Sequence, residues 1–207
     1  MTLASWFYAI VPTLFLAAVA VAVYLHSVLS VLVVIYAVPP LLYRALSLKP
    51  GLYDLKQPKF NVWWATHQLQ QLYIAVPALE ALLRVVPGLY SAWLRLWGSS
   101  VGRRVYWTPR MEVLDRGLLE VGDGVVFGHK VELYGHTAMP KSERLLLYVD
   151  RVRVGAGAFI GAGSRLAPGV VVEDGAVVPI LTDLYMKTRY PAKKEESHGR
   201  VDPARAA

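Results

Sequence analysis

Between residues 154 and 177 the chain reads VGAGAFIGAGSRLAPGVVVEDGAV, with an aliphatic side chain at every sixth position: Val154, Ile160, Leu166 and Val172. Four residues after each stands a side chain small or branched enough for a tight interior corner: Ala158, Ser164, Val170 and Ala176. A period of six fits neither the 3.6 of a helix nor the 2 of an alternating strand. It marks a solenoid whose triangular rung is built from three short strands. The same register covers Val101, Trp107 and Val113 with Val105, Met111 and Gly117, then Val121, Phe127 and Leu133 with Val125, Val131 and Thr137. The phase slips by two residues between Val113 and Val121 and breaks at 139–147 (MPKSERLLL), where the chain is expected to leave the coil as a loop. It resumes at Tyr148 with Val152 and fades at Val178 with Thr182. Gly122, Gly128, Gly155 and Gly161 follow the aliphatics directly, as expected if the corner needs positive φ there. The coils repeat too often for the competing architecture, a Gly- and Val-rich twisted sheet.

The amino-terminal pattern is different. The first 43 residues contain no Asp, Glu, Lys or Arg. Trp6 to Leu25 is apolar except for Thr13, about the length that crosses a bilayer core of roughly 30 Å. His26-Ser27 offers a turn, and Val28 to Leu46, with Pro39-Pro40, supplies a second span. A cleaved signal peptide wants a basic start and a shorter apolar core, neither of which is present. The expectation is a transmembrane helical hairpin over 1–48, with a single span plus a re-entrant segment as the alternative.

Charge then sets orientation. Arg44, Lys49, Lys56 and Lys59 follow the second span against Asp54 alone, which puts that flank on the cytoplasmic side of the plasma (inner) membrane. Of the net charge of +7, the basic excess falls before residue 111 and after 186, while the repeat region is mildly acidic. That distribution suits anionic headgroups of a lipid bilayer. No basic face on the folded domain speaks for nucleic acid. The absence of cysteine excludes disulfides and thiol chemistry.

Residues 60–97 read as short helices punctuated at Pro77 and Pro87-Gly88, within a linker and interfacial region spanning 49–98. Trp63, Trp64, Trp93 and Trp97, with Arg84 and Arg95, fit helices lying in the headgroup layer. An ordinary helical subdomain packed on the anchor is the other reading, and His67 reads as a packed or interfacial histidine. Lys49 to Lys59 and Gly98 to Arg104 are the linkers. The β-helix is expected over 99–186. A basic tail at 187–207, ending PAKKEESHGRVDPARAA, is apolar-poor and expected to be disordered.

Flat β-helix faces leave chemistry to corners and excursions. His129 and His136 lie in or beside the second coil, His129 expected within a strand and His136 just before the 139–147 break. A histidine at a loop base, with an ordinary pKa near 6.5, can take a proton from a hydroxyl or amine. A solvated loop histidine is the alternative.

The V/I-G-x-G-A/S units, a histidine ahead of a loop, and the closing VGAGAFIGAG…PGVVVEDGAVV resemble the hexapeptide-repeat acyltransferases over about 100–190. Within that superfamily YGHTAMPKSERLLLYVDRVRVGAGAFIGAGSRLAPG is similar to the membrane-anchored terminal regions of nonribosomal peptide synthetases of the poly-lysine synthetase type, and to exopolysaccharide O-acetyltransferases. The resemblance implies a left-handed parallel β-helix, a homotrimer and acyl-CoA (acetyl-CoA) as donor substrate in the groove between protomers. It places the catalytic histidine on His136 and the donor contacts on Gly161, Ala162 and Lys187. The close VVPILTDLYMKTRYP differs from the family's VVTKDVP ending. The implied mechanism is direct transfer to a membrane-associated acceptor (a lipid-linked saccharide, lipid or peptide), with backbone N–H groups holding the oxyanion and no covalent acyl-enzyme.

Two other functions fit the same fold. A γ-type carbonic anhydrase needs three histidines on zinc, with a close pair five residues apart. Here His129 and His136 are seven apart and no third falls in a coil, so no metal is expected. A non-enzymatic trimeric membrane scaffold organising partner proteins also accounts for the anchor and the basic collar.

Overall fold

The computed structural model describes residues 10–25, 27–57 and 61–191. The expected tail from 192 onward, the first nine residues, His26 and Lys59 lie outside these. Helices α1 (Val11–Tyr24), α2 (Val28–Tyr36) and α3 (Val38–Leu46) come first, followed by strand β1 (Gly51–Asp54). Four short helices follow: α4 (Val62–Gln68), α5 (Gln71–Ala75), α6 (Ala78–Val85) and α7 (Leu89–Leu96).

From Ser100 the chain winds into a three-faced parallel β-helix. The first face stacks β2 (Ser100–Val101), β5 (Leu119–Val121), β10 (Val152–Val154), β13 (Val171–Val172) and β16 (Arg189–Tyr190). The second stacks β3 (Tyr106–Trp107), β6 (Val126–Phe127), β11 (Phe159–Ile160) and β14 (Val177–Val178). The third stacks β4 (Glu112–Val113), β7 (Glu132–Leu133), β12 (Arg165–Leu166) and β15 (Asp183–Leu184). Ladder pairs such as Val121↔Val154 and Ile160↔Val178 put the six-residue aliphatics one above another. Phe127, Leu133, Ile160 and Leu166 are fully buried, as are the corner residues Ala158, Ser164, Val170 and Ala176. Each large side chain so enclosed contributes about 1.5–3 kcal/mol. The interior is therefore one stacked column from Val101 to Leu184.

Several expectations change. The glycines after the aliphatics do not have positive φ. At Gly161 an added Cβ would collide with the backbone of Pro179 and Ile180 in the next coil, so glycine is needed for close stacking. Positive φ falls two residues further on, at Gly157, Gly163, Gly169 and Gly175 and, against side-chain preference, at Arg104, Arg110, Lys130, Leu181 and Lys187. The coil does not fade at Val178, and its strands continue to Tyr190. His129 sits not in a strand but exposed in the turn between β6 and β7.

The 139–147 segment is not a loop. Strands β8 (His136–Lys141) and β9 (Arg144–Val149) form an antiparallel β-hairpin, and β9 also pairs with β1 from the expected linker. The run RLLLYV is apolar because it is the central strand of that small sheet, with Leu147 and Val149 fully buried.

Among the described residues one stretch, Val28–Leu46, is long and apolar enough to cross a membrane, with mean hydropathy 1.8. Its 19 residues extend about 28 Å as a helix. The stretch bends at Ala37 (φ −110°) between α2 and α3, where Pro39 and Pro40 remove backbone donors. α1 contacts α2. α3 docks on the β-helix end through Tyr43, edge-on to Trp97 at 5.3 Å between centroids. Trp63, Trp93 and Trp97, expected to face headgroups, are instead buried at 8, 5 and 0% exposure. Trp93 and Trp97 join the cluster at the end of the solenoid, and Trp63 packs with Leu118, Leu147 and Val149 at the β-hairpin corner. Apolar exposure on the helices falls elsewhere, at Leu82 and Val85 of α6, at Val86 and at Leu89.

Candidate active site

The corner between the third and first faces differs from the others. Between β4 and β5 it is two residues longer than the regular turn, which is the phase slip seen after Val113. The longer turn holds Asp115 and Arg116, each almost wholly buried. One coil later the β8–β9 β-hairpin leaves the same corner, so its first residue, His136, stands against Asp115. His136 Nδ1 lies 2.7 Å from Asp115 Oδ2, with side-chain exposures of 16 and 1%. The same oxygen accepts the Gly135 N–H at 2.8 Å. A carboxylate there holds the imidazole proton on Nδ1 and leaves the Nε2 lone pair to accept another.

Helix α4 covers the imidazole. The Trp63 ring sits 4.7 Å from His136 between centroids, and His67 sits 5.7 Å away edge-on while stacking on Trp63 at 5.0 Å. Gln71 Nε2 donates to His67 Nε2 at 2.7 Å, so the His67 proton resides on Nδ1. Burial holds His67 below its ordinary pKa, and the nearby Asp115 opposes this only in part. His67 is thus a neutral donor. Its Nδ1, Trp63 Nε1 and Asp115 Oδ1 are buried without partners among the described residues. Three unpaired polar atoms around one imidazole are uncommon in a packed interior.

A buried ion cluster fixes this corner. Arg116 bonds Glu80 Oε1 through Nε at 2.5 Å and also through Nη2, while Glu80 Oε2 accepts from Arg84 at 2.9 Å and Tyr90 at 2.8 Å. The Arg116 N–H donates to Gln70 Oε1 at 2.8 Å, and the Arg116 carbonyl accepts from Ser99 Oγ. The helices therefore grip the turn that presents Asp115.

The other expected site residues are spread over two corners. Lys187 lies at the His136 corner, its ammonium 4.7 Å over the Tyr148 ring at the base of the β-hairpin. Gly161 and Ala162 lie at the corner between the second and third faces. The Gly161 N–H donates to Val178 O and Ala162 O accepts from the Leu181 N–H, both as rungs of the coil. Among the described residues no group of three or more metal-binding side chains occurs. Sequence reading missed Asp115, Trp63 and His67 as neighbours of His136. The phase slip ahead of Val121 was the available signal for Asp115, because an enlarged corner has room for groups the regular turn cannot hold.

No protein-family model matches the chain, and no curated protein matches it. Among solved structures it is similar to hexapeptide-repeat acetyltransferases. One is a maltose O-acetyltransferase from Clostridium difficile, at 15% identity and TM-score 0.44, covering 59% of this chain and 79% of the other. Another is a hexapeptide-repeat acetyltransferase from Vibrio cholerae complexed with acetyl coenzyme A, at 16% identity and TM-score 0.40, covering 60 and 84%. The fold of this chain rests on its own three ladders.

Proposed function

We propose that the chain is a membrane-anchored acyltransferase that moves an acyl group, acetyl by default, from acyl-CoA to a hydroxyl or amine of a membrane-associated acceptor. The observation that carries this reading is the buried Asp115–His136 pair at a β-helix corner. His136 Nε2 takes the acceptor proton as the acceptor lone pair bonds to the thioester carbonyl carbon. The carbon–sulfur bond then breaks, and the protonated imidazole, held by Asp115, returns its proton to the departing CoA sulfur. Trp63 Nε1 and His67 Nδ1, beside His136 and without partners among the described residues, supply hydrogen bonds to a substrate oxygen. Lys187, Gly161 and Ala162 contact the donor in this reading, and a homotrimer supplies the groove. The apolar stretch Val28–Leu46 and the basic residues after it favour an integral membrane protein with the β-helix facing the cytoplasm.

Incubating the purified chain with radiolabelled acetyl-CoA and a membrane extract tests the proposal. A labelled lipid, glycan or peptide is expected, with labelling at least about a hundredfold slower in His136→Gln. Labelling that is absent with the wild-type chain, or equal in His136→Gln of unchanged melting temperature, overturns it.

A further inference from the structure

A second site lies at the first coil, away from His136. A cleft of about 560 Å³ opens between the start of α7 and the turn joining β2 to β3. Four arginines line it: Arg84, Arg95, Arg103 and Arg104. Arg84 is neutralised by Glu80. The other three have no ion-pair partner among the described residues. The neighbouring Asp123 carboxylate is engaged with the Arg103 backbone N–H at 2.7 Å. Arg95 is held in place, with Nε on Val101 O at 2.7 Å and Nη2 on Gly102 O at 2.8 Å. Arg104 adopts φ +55°, an unfavourable conformation for arginine, at the same turn. Gly88, Tyr90 and Ser91 put the amino-terminal end of α7 in the wall, and no side chain caps that end. Three guanidinium groups without a counter-ion among the described residues, that of Arg95 steadied by two backbone carbonyls, and a positive helix end line one space, which suits a phosphate.

What lies beside the cleft indicates how that phosphate is carried. Val85, Val86 and Leu89, within or adjoining its wall, are exposed at 76, 52 and 42%, and Tyr106 in the wall at 60%. Tyr36, at the end of α2, donates to Leu79 O of α6 and accepts from Trp93 Nε1 of α7, both at 3.0 Å. The apolar stretch long enough to span a membrane therefore runs directly against the two helices that form the cleft. Basic depth and apolar rim together match an amphiphile entering from the bilayer surface.

We propose that this cleft binds the phosphate of an anionic membrane lipid, with Val85, Val86 and Leu89 set among its acyl chains. The site is independent of the His136 chemistry: lipid binding here and acyl transfer there can each fail alone. The full-length chain in neutral detergent is titrated with dihexanoyl phosphatidic acid, dihexanoyl phosphatidylcholine and inorganic phosphate, with the dissociation constant read by calorimetry. The double variant R103Q/R104N is compared, asparagine being chosen because it tolerates positive φ. Phosphatidic acid is expected to bind most tightly, and the double variant to weaken it by about tenfold or more while its melting temperature is unchanged. Inorganic phosphate binding as tightly as phosphatidic acid overturns the lipid assignment. Equal binding of phosphatidylcholine, or undiminished binding by a folded R103Q/R104N, overturns the site.

Discussion

Asp115→Asn separates two roles that a buried carboxylate beside a histidine can play. In the structure one oxygen, Oδ2, accepts both the Gly135 N–H at 2.8 Å and the His136 Nδ1–H at 2.7 Å, and the other, Oδ1, is buried without a partner among the described residues. Asparagine has only one oxygen to offer. Placing its NH2 group at the Oδ2 position would oppose two donors to the Gly135 N–H, so the amide oxygen must stay there. The NH2 group then takes the Oδ1 position, which has no partner among the described residues in the wild type either, so the stability lost is that of the charge-assisted bonds at Oδ2 becoming neutral ones, about 1 kcal/mol. The His136 tautomer is retained, because Gly135 blocks the flip that would invert it. What is lost is the charge-assisted bond to the imidazolium formed during transfer, about 1.4–2.8 kcal/mol, or roughly 10- to 100-fold in rate. Urea unfolding in detergent reads the first number, and transfer of labelled acetyl reads the second. A variant of wild-type stability and wild-type rate would refute the geometry. A fall of about 10⁴-fold would refute the argument that Gly135 guards the tautomer.

Glu80→Gln leaves Arg116 and Arg84 without the carboxylate that each pairs with, so a loss of about 3–5 kcal/mol is expected in the same unfolding assay. A loss under about 1 kcal/mol would mean that the ion cluster does not clamp the corner. The His67 pKa is lowered from 6.5 by burial, so between the folded and unfolded values only the unfolded chain holds the proton. Stability from this group therefore declines as pH falls below about 6.5 and levels off beneath the folded value. His67→Gln should flatten that part of the stability–pH curve relative to wild type, and an unchanged acid limb would contradict the burial argument.

How much of this was legible beforehand depends on the range of the interaction. The six-residue register at Val154, Ile160, Leu166 and Val172 is local information: each hexad makes one strand and one corner, and stacking identical rungs leaves the aliphatics no other place to go. His136 was reachable for a related reason, because a broken repeat marks where a coil opens. The break itself was misread, since whether RLLLYV hangs free or forms a sheet depends on Gly51–Asp54, more than eighty residues upstream. The tryptophans misled in the same way. Amphipathic rings suit a headgroup layer or a core equally well, and only the open end of the solenoid decided that Trp93 and Trp97 would fill it, and only the β-hairpin corner that Trp63 would pack on Leu147 and Val149.

The sequence by itself determined the winding of the chain from 100 onward, because a short period imposes the same contacts on every turn. It also determined the apolar character of Val28–Leu46, because composition needs no partner. The tertiary structure decided everything that brings distant residues to one point. Asp115 meets His136 only because two coils stack in register at an enlarged corner, and His67 and Trp63 join them only because α4 packs over that corner. Glu80, on a helix 36 residues ahead of Arg116, becomes its counter-ion only once the helices dock. Sequence spacing carries no information about such pairs, since an ion pair or a hydrogen bond is set by separation in space.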